Sequence, residues 1–274
     1  MLSSLSRTLT YFLAGLYAVV GAALFVAPSW SAANFAWNIS PFVSMTIGGW
    51  CLGTAFAAWD AARVWRWAAV YPNLVYLWVF GLGETAVLVE FQERLLVTGP
   101  VAWLYLLALG VNVLAAVLGF IDWLRLHPSA GREGVPVAGW VRGAVILFAG
   151  IVAILAVLVL TARQDTFLTN GGLFPENLTL FTLHAGGAFF TSLVASAISV
   201  MNARGMEPVL SFMRYGIALI LPITAAILFN LDKFDLINRP GGLLYIAAYL
   251  AALVGALIIL ASHRSRSPAI EGPA

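Results

Sequence analysis

Residues 99–124 read GPVAWLYLLALGVNVLAAVLGFIDWL, an unbroken apolar run in which Asp122 is the one charged residue. At about 1.5 Å of rise per residue a helix of this length outreaches the ~30 Å hydrocarbon core of a bilayer. The apolar residues are continuous rather than alternating, so the run reads as a helix and not as a barrel strand. Seven further runs of similar character lie near 9–27, 41–62, 65–89, 139–161, 179–201, 209–230 and 241–262. The sequence thus predicts an all-α polytopic membrane protein with eight transmembrane helices.

Composition agrees. Hydrophobic residues make up 62% and charged residues 9%, against about 45–50% and 25% in soluble domains. The mean hydropathy is +0.95. A net charge of +2, dispersed along the chain, excludes a nucleic-acid footprint. Pro28 closes the first run, Pro41 opens the second and Pro100 the fourth, positions where a missing N–H costs little. The clearest polar, breaker-rich linker is 127–138.

The quoted run also returns later in the chain. Pro100-Val-Ala-Trp-Leu-Tyr-Leu-Leu-Ala108 matches Pro240-Gly-Gly-Leu-Leu-Tyr-Ile-Ala-Ala248 at an offset of 140. Glu84-Thr-Ala aligns with Ile223-Thr-Ala at 139, and Asn38-Ile-Ser40 with Asn177-Leu-Thr179 at 139. Gly48-Gly49 aligns with Gly186-Gly187 at 138, and Ala14-Gly15 with Ala149-Gly150 at 135. Matches kept in order with slowly drifting offsets predict two tandem, parallel four-helix repeats, 1–126 and 139–262, joined by 127–138 and followed by a tail at 263–274.

Eight spans put both termini on one side. Ten of the fourteen basic residues flank that side, and Arg94, Arg163, Lys233 and Arg239 the other. The positive-inside rule makes the first side cytoplasmic. Trp30, Trp37 and Trp103 are expected at the outer boundary, with Trp59, Trp65, Trp67, Trp123 and Trp140 at the inner one. Arg7 and Ser31-Ala32-Ala33 give the first run some features of a secretory signal, but its counterpart in the second half assigns it to the mature fold. Both Asn-x-Ser/Thr triplets precede a run, so Ser40 and Thr179 read as helix caps rather than glycosylation sites. Thirteen Arg to one Lys points to a GC-rich bacterium and hence to a bacterial cytoplasmic membrane.

Few ionisable groups fall within the runs. Glu84, Tyr105, His184 and Tyr245 share a similar depth near the outer ends and are expected to form one polar cluster. A charge in hydrocarbon is costly, so Glu84 must be neutral, paired or turned inward. Its counterpart is Ile223, which makes it a functional candidate, with helix packing as the plainer role. Gly48, Gly49, Gly53, Gly186 and Gly187 read as helix-packing positions, Gly49 and Gly53 as a small-xxx-small pair. Asp60 and Asp122 read as surface partners of Arg63 and Arg125.

The lone Cys51 excludes an intrachain disulfide and a multi-cysteine zinc site. No metalloprotease, phosphate-loop or nucleophile-elbow motif occurs. No metal, cofactor or catalytic residue is expected. The partners read from sequence are the lipid bilayer and other membrane-protein subunits. The expectation is a non-enzymatic accessory or scaffold subunit of a membrane complex. The alternative is a small-molecule transporter or exporter with a site between the repeats.

Overall fold

The computed structural model describes residues 2–129, 135–170, 172–237 and 239–264. Of the linker and tail, 130–134 and 265–274 lie outside the described residues. The helices are α1 Ser4–Val26, α2 Pro28–Ala33, α3 Pro41–Val64, α4 Trp67–Glu90, α5 Pro100–Leu126, α6 Gly139–Leu160, α7 Leu180–Met201, α8 Met206–Phe229 and α9 Gly241–Arg264. All but α2 are long and apolar enough to cross a membrane. The protein is a multi-pass, membrane-embedded helical bundle. Among the described residues there is no strand beyond an isolated bridge between Pro136 and Gly205.

The runs read from sequence coincide with these helices to within a few residues. The expected caps form as well. Ser40 Oγ accepts the N–H of Val43, and Thr179 Oγ1 that of Thr182, satisfying donors that a helix start leaves open. Pro28 ends α1 but also begins the short α2, which the apolar pattern does not reveal.

Helix α3 is the hub. It packs on α1 on one side and on α8 on the other, while α4 packs on α5, α7 and α8. Most of α3 is buried, 83% of its most apolar window, against 28% in α6 and 17% in α9. Glycine makes this possible. A Cβ on Gly48 would lie 2.9 Å from the Phe25 nitrogen of α1. On Gly49 it would lie 3.1 Å from the Ile223 nitrogen of α8, and on Gly53 2.6 Å from the Leu219 Cα. Gly187 lies equally close to Leu160 of α6. Gly48, Gly49 and Gly53 bring helix backbones together, the geometry expected of small residues in membrane bundles, while Gly187 makes room for the Leu160 side chain. Gly186 departs from expectation, because a Cβ there would meet only the Trp50 ring at 3.7 Å.

Two of the expected interfacial tryptophans turn inward. Trp37 is 2% exposed, stacked on Phe181 at 4.3 Å with its indole N–H donated to Thr182. Trp65 is buried and donates to the Leu2 carbonyl. Trp30, Trp59, Trp103, Trp123 and Trp140 are exposed, as a lipid-facing belt requires.

The four-helix neighbourhoods on either side of the hub differ in one respect. Helices α1 and α5 pack directly, joined by a 3.0 Å hydrogen bond from Asn112 Nδ2 to the Tyr17 hydroxyl. Helices α6 and α9 barely touch. Between them, backed by α7 and α8, lies a cavity of about 430 Å³.

Candidate functional site

Glu84 lies in α4 one turn beyond Gly81, whose missing side chain makes room for Asn112 of α5. The same face carries Glu84 into the interior, where it is 1% exposed. Its Oε2 accepts the Tyr105 hydroxyl at 3.0 Å, and its Oε1 has no hydrogen-bond partner among the described residues. Cys51, Tyr17 and Tyr76 are its electrostatic neighbours. The segment after α2 roofs the pair. Phe35 and Trp37 pack on the Tyr105 ring at 5.0 and 5.7 Å. That segment is pinned by the N–H groups of Ala102 and Leu96, which donate to the carbonyls of Asn34 and Ala36.

The expected four-residue cluster is divided. Tyr105 meets Glu84. His184 instead faces Glu90, with Nδ1 at 3.1 Å from the carboxylate and the ring edge-on to Phe91. Glu90 follows Glu84 by six residues, roughly 240° around the helix, so one residue cannot address both. Tyr245 belongs to the far side of the bundle, against Phe174 and Tyr249. Equal depth in the membrane put these residues at one level but on different helix faces.

Asp60 corrects the sequence reading. It is 1% exposed rather than on the surface, and its main partner is Arg214 of α8 at 2.9 Å, with Arg63 at 3.4 Å. Ser211 donates to Asp60 and to Asn73 Oδ1, and Asn73 in turn donates to the Ala57 carbonyl of α3. Ser211 and Arg214 stand three apart on one helix face, so both reach Asp60 from α8. Asp122 accepts from Ser3 and Ser6 rather than from Arg125.

Other buried polar groups also join neighbouring helices. Tyr76 bonds Thr54 at 2.8 Å, and Tyr215 donates to Ser196 at 2.6 Å. Among the described residues no group of three or more His, Cys, Asp or Glu could hold a metal ion. The cavity between α6 and α9 is almost wholly apolar, with the hydroxyls of Tyr215, Tyr245 and Tyr249 on residues at its wall. A smaller one of about 40 Å³ adjoins it beside Trp50, whose indole N–H has no hydrogen-bond partner among the described residues. No family model, curated protein or solved structure matches the chain.

Proposed function

We propose that this protein is a non-enzymatic accessory or scaffold subunit of a larger complex in a bacterial cytoplasmic membrane. The observation that carries the reading is where the buried polar groups go. Tyr17–Asn112, Thr54–Tyr76, Glu84–Tyr105, Ser196–Tyr215 and Asp60–Arg214 each tie one helix to another. Polar groups committed to helix packing hold a bundle together and are not free to relay protons or escort a solute. The transporter alternative needs room between the two halves. Instead, Trp50 stacks on Phe189 at 4.6 Å and Gly49 abuts Ile223. Gentle solubilisation tests the proposal: stoichiometric membrane companions that follow the protein through purification are expected. A solitary protein that carries a solute into proteoliposomes, and loses this with Glu84→Gln, would overturn it.

Within this reading the chain is a duplicated four-helix unit, α1 with α3–α5 and α6 with α7–α9, and both termini are cytoplasmic. Equivalent positions with equivalent partners support the duplication. Arg7 donates to the Ala62 carbonyl at the end of α3, and Arg142, offset by 135, to the Ala203 carbonyl just past α7, two residues beyond the strict counterpart of Ala62. The Ser40 and Thr179 caps set the next helix pair at 139, so Gly48 corresponds to Gly187 and not, as the glycine pairs alone imply, to Gly186. Gly48 then approaches Leu24 and Phe25, while Gly187 approaches Val159 and Leu160, the same residues shifted by 135. Gly49 meets Pro222 and Ile223, and its counterpart Ala188 meets Gly83. Tyr76 and Tyr215, 139 apart, touch at a centroid distance of 5.2 Å, as residues beside a twofold axis do. The basic residues gathered on the terminal side support the orientation.

A further inference from the structure

The cavity between α6 and α9 is a large space in the bundle that the described side chains do not fill. Its wall along α9 runs from Leu244 through Ala248, Ala252 and Gly255 to Ile259, about 22 Å at 1.5 Å per residue. Leu147, Ile151 and Leu244 belong to both its wall and the exposed surface, so it opens sideways, toward lipid. A volume of about 430 Å³ spread over that length leaves about 20 Å² of cross-section. A round bore of that area is about 5 Å across, the width of one hydrocarbon chain and about half the 10–12 Å diameter of a helix with its side chains. The volume is that of a ligand site, and an apolar cavity of this kind excludes water and takes apolar guests.

The first half shows how such a gap is closed. Tyr17 and Asn112 bridge α1 and α5, and Leu77 of α4 is buried. The offsets of 135, 140 and 139 make their counterparts Val152, Ala252 and Gly216, all on the cavity wall. Each counterpart is smaller, and the bridging hydrogen bond is gone. At Gly216 and Gly255 a Cβ would find nothing within 4 Å, so the space lies directly beside both backbones. The comparison between halves rests on the duplication proposed above; the cavity does not.

From this geometry we infer that the α6–α9 cavity is a lipid site that takes one acyl chain of a membrane phospholipid, admitted laterally from the bilayer. Apolar walls, a sideways mouth, a chain-wide bore and a length aligned with the helices all fit that guest. A transmembrane helix from a partner is too thick to enter.

The test uses the full chain in nanodiscs of phosphatidylcholine carrying a diazirine on one acyl chain, irradiated and mapped by peptide mass spectrometry. Label is expected on the inner wall, at Leu193 and Phe212, as well as on the exposed residues Leu107 and Leu114 of α5, which serve as the internal reference. Gly216→Leu and, independently, Gly255→Leu place a side chain into the cavity from two helices, each Cβ meeting no described atom within 4 Å. Each should lower the inner-wall label severalfold while leaving the α5 label unchanged. The inference is overturned if Leu193 and Phe212 label no more than the closed-half residues Leu77 and Asn112. It is equally overturned if both variants, eluting as the parent protein does, keep the inner-wall label. Correct labelling with halves that do not superpose would sink the duplication and spare the lipid site.

Discussion

Adding one methyl group at Gly53 should loosen the hub of the bundle. The new Cβ of Gly53→Ala would lie 2.6 Å from the Leu219 Cα, where ordinary contact begins near 3.4 Å. A side chain can rotate away, but a Cα cannot, so α3 and α8 must part by nearly 1 Å. One turn away, the approach of Gly49 to Ile223 would open with it. Overpacking of this kind costs about 1–3 kcal/mol. Gly186→Ala is the matched control, since its Cβ meets only the Trp50 ring at ordinary distance. In a helix interior it should be neutral or gain up to about 1 kcal/mol. Thermal unfolding in a mild detergent, followed by size-exclusion recovery, should melt Gly53→Ala on the order of 5 °C below Gly186→Ala. Adding Leu219→Ala should not rescue it, because the obstacle is backbone. Equal melting of the two alanine variants, or full rescue by Leu219→Ala, would refute the reasoning.

At Glu84, Gln keeps an acceptor for Tyr105 and should leave melting within about 0.5 kcal/mol of the parent, whereas Glu84→Ile strands the Tyr105 hydroxyl and should cost about 1–2 kcal/mol; unfolding of the two proteins side by side checks this. Asp60→Asn removes the charge that pairs α3 with Arg214, which is 37% exposed, and after allowance for that exposure should cost about 2 kcal/mol. An unchanged melting point would mean the pair contributes nothing. His127, exposed at the end of α5, holds φ at 41°; His127→Gly relieves that left-handed strain and should raise stability by about 1 kcal/mol, with lower melting as the contrary result. Reporter fusions after Arg132 and Arg266 should read cytoplasmic and fusions within 164–175 external, and opposite readings at the first two would break the eight-span topology.

How far the sequence could be read depended on which property each question needed. The helices were legible because length and continuous apolarity suffice in lipid, and the caps because Ser40-Pro41 is a local signature. Glu84 and Tyr105 were legible as residues at one depth, within a larger cluster that the sequence did not divide. Depth alone then misassigned His184 and Tyr245, whose helix faces depend on packing. The burial of Asp60 turned on Arg214, which lies 154 residues away, a distance at which local pattern is silent. Trp37 was taken as interfacial because an indole suits both a membrane boundary and a buried stack. The α6–α9 cavity had no sequence signature of its own, since it depends on two apolar helices that barely touch, and apolarity does not say which helices pack.

The burial of α3 has a consequence for biogenesis. It is the least hydropathic span, at 1.3, while the most exposed spans α6 and α9 reach 3.0 and 2.6, so apolarity follows contact with lipid. The partner that covers Gly49 and Gly53 and neutralises Asp60 is α8, which leaves the ribosome more than 140 residues after α3 ends. At 5–20 residues per second that interval lasts roughly ten to thirty seconds. Throughout it, α3 sits in the bilayer with a carboxylate and a bare glycine groove on the face that α8 will later occupy. The first four spans can be inserted early, but the hub is completed only when the seventh arrives, and a chain stalled before α8 would present that groove to insertion and quality-control machinery.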